Sequence, residues 1–284
     1  MPFPRVVDYH KRGRPSVPSG YGIFYAIVSV CYWFLLSFIG VSSSEALLLA
    51  ASVLFGGIMG LFDDVANLRW RYKAILPVFA SLPYIALVPH GRTTVSLLAA
   101  YPVELGALFL ILLVPVIVTV VTNSYNQLGG LNGLEAGTGL FVAVGLTAMS
   151  GSWVLLGVPI LVLAALTLLS FSGKAFVGNV GSFSVGLTLA VVATLYNLKL
   201  MLLIAFIPFI VNSLLILYSN YIIHDRADTV LGRDGKLRTR KVRSLRTLIL
   251  RYKPMTERQT VVVIYLLVIL FTVMGGVLKP LLYP

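Results

Sequence analysis

A chain of 284 residues with 58% hydrophobic and only 11% charged side chains is too apolar for an ordinary soluble domain, and its net charge of +12 makes it strongly basic. Nucleic acid is a poor partner for that charge, because the basic residues lie beside apolar runs and lack an interleaved stacking surface. The single Cys31 falls inside an apolar run, which excludes a disulfide and argues against a Cys-based metal site.

The apolar runs are continuous rather than alternating, so they predict membrane-spanning helices and not barrel strands. Nine spans are expected, at about 22–40, 44–62, 74–89, 104–122, 135–150, 152–171, 182–196, 199–222 and 260–281. The expected fold is all-α: one polytopic transmembrane bundle over residues 1–284, with no internal repeat and a cytoplasmic N-terminus. No apolar run precedes Gly22, so no cleavable signal peptide is expected. With the N-terminus inside, nineteen Lys and Arg residues share one face and only Arg92, Lys199 and Lys279 fall on the other. The positive-inside rule then makes the crowded face cytoplasmic, where it can hold anionic headgroups, a phosphorylated substrate, or both.

Five segments on that face (1–21, 63–73, 123–134, 172–181 and 223–259) carry nearly all the unusual polarity. In the first, Asp8 to Gly22, Pro and Gly interrupt a basic run. It reads as a membrane anchor or as a phosphate-facing loop built on Lys11. In the second, Asp63 and Asp64 follow Gly60-Leu-Phe directly, and acids at a membrane helix end are functional candidates. If the helix continues, Asp63 and Asn67 share a face, as do Asp64, Asn67 and Arg71. Beside Arg69, Arg71 and Lys73, the two acids can receive a cation together with a polyphosphate. The plain alternative is a surface ion cluster ending a helix.

The third segment is the most unusual: Asn123-Ser-Tyr-Asn-Gln-Leu-Gly-Gly-Leu-Asn-Gly-Leu-Glu-Ala-Gly137 interrupts two spans. Asn132 as N-cap and Glu135 at N3 would make a capping box. That leaves Asn123, Asn126 and Gln127 unexplained, along with the backbone opening at Gly129-Gly130, which suits close approach to an anionic ligand. In the fourth segment, Asn179 or Ser182 can cap the next helix. The fifth is the one long loop, in which Gly232-Arg-Asp-Gly-Lys236 has turn chemistry and His224-Asp-Arg226 leaves the membrane first.

Taken together, Asp-Asp-Val-x-Asn-Leu-Arg-Trp-Arg-x-Lys at 63–73, the 123–137 stretch and Phe-Val-Gly-x-x at 176–180 resemble the polyprenyl-phosphate N-acetylhexosamine-1-phosphate transferases. The resemblance runs from Asp8 onward and is closest to the eukaryotic and archaeal UDP-GlcNAc:dolichyl-phosphate GlcNAc-1-phosphotransferases. The bacterial branch carries paired histidines where this chain has His224-Asp-Arg226. The resemblance implies Mg²⁺-dependent transfer (Mn²⁺ being an alternative) of sugar-1-phosphate, GlcNAc-1-phosphate by default, from a UDP-sugar to dolichyl or polyprenyl phosphate. UMP is released, and the step begins lipid-linked oligosaccharide assembly. It implies catalytic roles for Asp63, Asp64 and Lys73, and metal positions at Asn126 and Asn179. Gly130 and Asn132 would meet the uracil. Asn67, Asn123 and Glu135 would line the nucleotide-sugar pocket, with His224 and Arg226 on the diphosphate. The expected setting is an archaeal-like plasma membrane with a cytoplasmic site, and a homodimer is compatible with it.

Three departures stand out. The family has aspartate where this chain has Asn179, an oxygen donor without charge. Ser19 stands where relatives place an acid near the nucleoside. A helix usually precedes the Asp8–Lys11 segment, and seven residues cannot supply it. A transporter of a lipid-linked or nucleotide sugar, and a catalytically impaired relative marked by Asn179, are the competing readings. The transporter would need charged or broken helices near the bilayer midplane, whereas the ionisable residues here gather at helix ends.

Overall fold

The structure of the protein, a computed structural model, describes residues 3–88, 94–95, 103–224 and 229–279. Its helices are α1 (Gly22–Phe38), α2 (Ser43–Ala66), α3 (Trp70–Ala80), α4 (Leu82–Leu87), α5 (Phe109–Gln127), α6 (Leu134–Ser150), α7 (Trp153–Phe171), α8 (Gly178–Leu195), α9 (Lys199–Ala205), α10 (Ile207–Ile223), α11 (Leu245–Tyr252) and α12 (Glu257–Val277). Among the described residues, strands occur only as three small antiparallel pairs: β1 (Arg5–Val7) with β2 (Ser16–Pro18), β3 (Thr94–Val95) with β4 (Val103–Glu104), and β5 (Val230–Leu231) with β6 (Leu237–Arg238).

The protein is thus a helical polytopic membrane protein, but the count of nine spans is not reproduced by helix length. Among the described residues, α2, α5, α7, α8 and α12 are long and apolar enough to cross a membrane. A sixth span results if α9 and α10, bent by 60° at Phe206, are taken together. Proline explains several irregularities, since it lacks the N–H that the preceding turn needs. Pro83 opens the short α4, Pro208 lies just past the α9–α10 bend, and Pro115 follows a π-helical turn at Phe109–Leu113.

The bundle is built around α8, in which every residue from Val180 to Leu195 is buried, with α1, α2, α5 and α6 packed against it. Lipid gives helices no hydrophobic drive to associate, so close backbone approach and interhelical hydrogen bonds carry much of the packing. Gly60 of α2 lies so near α8 that a Cβ there would sit 2.6 Å from Val180 Cα. Tyr25 Oη donates to Thr188 Oγ1 at 2.9 Å, and Trp33 Nε1 to the Leu155 carbonyl at 2.8 Å. The exposed Phe38, Leu161, Leu168 and Leu266 form the kind of outer surface a bilayer accommodates.

The N-terminal hairpin docks on the start of α8: the Phe176 amide donates to the Pro18 carbonyl, and the Tyr21 and Gly22 amides donate to the Phe176 and Val177 carbonyls. This brings the first and fourth polar segments to the bundle end that also holds the C-termini of α2 and α5.

Candidate active site

Helix α2 extends past residue 62 and ends at Ala66, where Asn67 turns left-handed with φ of 45°. The helix therefore does not continue, and Asn67 and Arg71 do not share the face with Asp63 and Asp64 expected from an unbroken helix. The turn instead folds back. The Leu68 amide donates to Asp63 Oδ1 at 3.0 Å, and Lys73 Nζ, in the first turn of α3, lies 2.9 Å from that same oxygen. Asp63 is buried, and its Oδ2 has no hydrogen-bond partner. A buried carboxylate with one neutralising lysine and one unused oxygen is charge-balanced but not fully satisfied.

Asp64 points elsewhere. Its Oδ1 accepts the Asn179 amide at 2.9 Å and its Oδ2 the Val180 amide at 3.0 Å. A carboxylate from α2 thus caps α8, where the helix dipole and unpaired N–H groups favour an anion. Neither Asn179 nor Ser182 caps its own helix. Asp64 spends both oxygens on this cap, so the structure gives it an architectural task at the position the resemblance reads as catalytic. Gly178 fits here with φ of 77°, because a Cβ would sit 2.8 Å from Gly20 Cα and 3.0 Å from Asp64 Oδ2. Ser19, half-buried, precedes that Gly20.

The expected capping box at 132–135 does not form. Gly133, with φ of 84°, precedes α6 and offers no side chain, while Glu135 accepts a hydrogen bond from Ser182 Oγ of α8. Tyr125 Oη donates to the Glu135 carbonyl at 2.6 Å, which ties α5 to α6. Two residues earlier on α5, Asn123 Nδ2 donates to the Ala74 carbonyl at 3.3 Å.

Lys73, Asn123, Asn126 and His224 all line a single cavity of about 850 Å³ between α3, α5 and α10. Gln127, Asn220 and the hydroxyl residues Thr119, Ser124, Ser213 and Tyr221 add polar groups, while Ala74, Val120, Ile210, Leu214, Ile216 and Leu217 add apolar ones, most of them from α10. His224 follows a π-helical turn at Ser219–Ile223 and has φ of 53°. Arg226 lies outside the described residues. Asn67 is exposed at the α2–α3 turn, and Asn179 is half-buried in the first turn of α8.

Lys11, Gly130 and Asn132 belong to a second cluster. Asn132 is buried, and its Nδ2 donates to Asp8 Oδ2 at 2.7 Å and to Glu257 Oε1 at 2.8 Å. The Asn132 amide also donates to Glu257 Oε1 at 2.8 Å. Lys11 Nζ lies 3.4 Å from Asp8 Oδ2, and Arg246 Nη1 of α11 approaches the exposed Gly130 carbonyl at 3.5 Å. His10 completes the cluster, with ligand atoms of Asp8, His10 and Glu257 within 4.8 Å of one another. Lys11 and Arg246 already bring positive charge there. Burial holds His10 below its ordinary pKa, Arg246 adds to the effect, and Glu257 and Asp8 oppose it.

Three contributors escaped the sequence reading. Glu257 carried the signal of an acid inside the Thr256–Gln259 capping box that opens the last span. Asn212 is an amide within an apolar run, a default functional candidate. It joins α5 to α11 by donating to the Gln127 carbonyl at 2.9 Å and accepting the Leu245 amide at 3.0 Å. Ser182, considered only as a cap, is the partner of Glu135.

A family model described as glycosyl transferase family 4 matches residues 46–197, from α2 through α8. Two relatives, from Saccharolobus solfataricus and Sulfolobus acidocaldarius, are each provisionally named UDP-N-acetylglucosamine–dolichyl-phosphate N-acetylglucosaminephosphotransferase. The first is 26% identical, over 96% of this chain and 87% of its own length; the second is 30% identical, over 73% and 67%. The Dictyostelium discoideum enzyme of that name is 31% identical, over 73% of this chain and 63% of its own.

Proposed function

The chain belongs to glycosyl transferase family 4, and from that premise we propose that it transfers N-acetylglucosamine-1-phosphate from UDP-N-acetylglucosamine to dolichyl or polyprenyl phosphate. The names of the relatives supply the reaction. The observation that carries it to these residues is the 850 Å³ cavity lined by both polar and apolar side chains, the apolar ones mainly on α10. A polyprenyl phosphate has the same division: a chain for Ile210, Leu214 and Leu217, and a phosphate for Lys73, Asn123 and His224.

In the reaction, an acceptor phosphate oxygen attacks the sugar-bound phosphorus, the phosphoanhydride bond breaks, and UMP leaves with the bridging oxygen. Two anions must meet, so alignment and charge neutralisation dominate the barrier. Lys73 is fitted for this because Asp63 fixes its ammonium at the cavity edge. A phosphate monoester loses its second proton near pH ~6, so Asp63 serves as an orienter of Lys73 and need not remove a proton. Asp64 holds the α8 N-terminus, and with it Asn179, against α2. Lys11, Gly130 and Asn132 belong to the nucleotide side, framed by Asp8 and Glu257.

The donor types suit a magnesium ion: Asp63 has a buried oxygen without a partner, and Asn126 and Asn179 carry hard amide oxygens. These three would hold it, with neutral amides as two of the donors, and bound there it would offset diphosphate charge. The nineteen-to-three distribution of basic residues supports a cytoplasmic site.

The test is release of radiolabelled UMP from UDP-N-acetylglucosamine by purified protein in detergent with added polyprenyl phosphate. Release that needs the lipid supports transfer. Absence of UMP with both substrates present rejects it, and product formed without a membrane to cross rejects an obligate transporter.

A further inference from the structure

The segment between α10 and α12 folds into more than a solvated basic loop. The Leu237 amide donates to the Met255 carbonyl at 2.7 Å, and Leu237 is fully buried, so the β5–β6 hairpin is pinned to the residues preceding α12. This sets Lys236 beside Lys253 and Arg258. Together with Pro254, Met255, Gln259, Val262 and Val263, the three cations line a notch of about 580 Å³.

Among the described residues no carboxylate lines this notch. The two nearest in sequence are engaged elsewhere: Asp234 Oδ2 pairs with Arg238 Nη2 at 2.8 Å, and Glu257 reaches Asn132. Below the notch, Val262, Leu266, Leu270, Val273 and Val277 form one exposed apolar stripe along α12, one of the candidate spans. Tyr252, 85% exposed beside Lys253, has the amphipathic form that prefers the membrane–water boundary. A site with three cations above an apolar stripe is complementary to a single kind of occupant, an anion carrying a hydrocarbon chain.

We propose that this notch binds the phosphodiester headgroup of an anionic membrane phospholipid, whose chain lies along the α12 stripe. The site is separate from the 850 Å³ cavity and shares no lining residue with it. It does not depend on the transferase reading.

The test embeds the full chain in bilayers of equal phosphatidylglycerol and phosphatidylcholine, extracts it in mild detergent, and counts retained lipids by native mass spectrometry. Wild type is expected to keep phosphatidylglycerol over phosphatidylcholine by about tenfold, in line with basic residues attracting anionic lipid at a membrane surface. The variant K236Q/K253Q/R258Q loses that preference, while the charge-matched control R14Q/R240Q/R251Q keeps it. Equal loss in both variants reduces the effect to diffuse surface charge, and retention in both removes the notch from the binding; either outcome overturns the proposal. Displacement of the lipid by millimolar glycerol-3-phosphate identifies a soluble-phosphate site and overturns the lipid assignment. Melting temperature in phosphatidylglycerol against phosphatidylcholine bilayers is a second readout. It rises with the anionic lipid in wild type and the control and not in the notch variant.

Discussion

Replacing Lys73 with methionine keeps an unbranched side chain one atom shorter and removes the cation that neutralises Asp63. Asp63 is buried and would keep only the Leu68 amide at 3.0 Å, its Oδ2 being without a partner already. At 2.9 Å the pair attracts by about 6 kcal/mol for an effective dielectric constant of ~20. Stranding a buried charge typically costs about 3–5 kcal/mol. Lys73→Met should therefore lower the melting temperature by roughly 6–20 °C, taking about 2–4 °C per kcal/mol. The double variant Asp63→Asn/Lys73→Met carries no stranded charge and should recover at least half of that loss. Intrinsic fluorescence is a suitable assay, since the fully buried Trp33 reports on the α1–α7 contact. Both variants should lose UMP release, so stability and not activity is the discriminating measurement. If the single and double variants melt within about 1 °C of each other, Asp63 and Lys73 are not energetically coupled, and the assignment of Asp63 as the orienter of Lys73 fails.

Asn179→Asp should tighten divalent cation binding by about tenfold, since charged ligands raise affinity for hard cations. Mn²⁺ titration followed by electron paramagnetic resonance checks this independently of turnover, and unchanged affinity removes Asn179 from the metal site. Glu257→Ala strands two donors of the buried Asn132 and should cost about 1–3 kcal/mol. Weaker UDP binding by calorimetry is expected with it, and unaltered melting would show that Asp8 alone suffices. His10 has a folded pKa below its ordinary 6.5, so the unfolded chain binds more protons between the two values. Stability should accordingly fall as pH drops below about 6.5 and level off once the folded-state pKa is passed. Asp8, Glu257, Lys11 and Arg246 surround the imidazole. His10→Gln should flatten that part of a melting-temperature profile, and a slope that survives the substitution belongs to another group.

Membrane class was legible in the sequence because apolar runs of bilayer length report directly on solvent. Span number was not, because α3 and α4 divide a stretch that reads as one helix, and α9–α10 bends by 60°. Polar residues were legible as candidates, since amides and acids between apolar runs demand partners. Which partner each takes was less legible. Asn132 and Glu135 fit a capping box in sequence, yet Asp8, Glu257 and Ser182 offer longer-range partners that local spacing does not reveal. The small structure within 229–256 went unseen because two-residue strands and an eight-residue helix leave little periodic signal.

The burial of α8 connects these observations. A helix buried from Val180 onward leaves little room for water at its N-terminal amides, so its first turn needs acceptors from the protein, and an anion suits the helix dipole. Asp64 provides it, and the close approach that Gly60 permits brings α2 near enough to do so. The adjacent Asp63 is thereby turned toward Lys73, because successive helical residues point about 100° apart. Two neighbouring acids thus have separate partners, Asp64 the first turn of α8 and Asp63 the cavity-lining Lys73. A side chain at position 60 would act on both: Gly60→Ala should separate α2 from α8, weaken the Asp64 cap and displace Lys73 through Asp63.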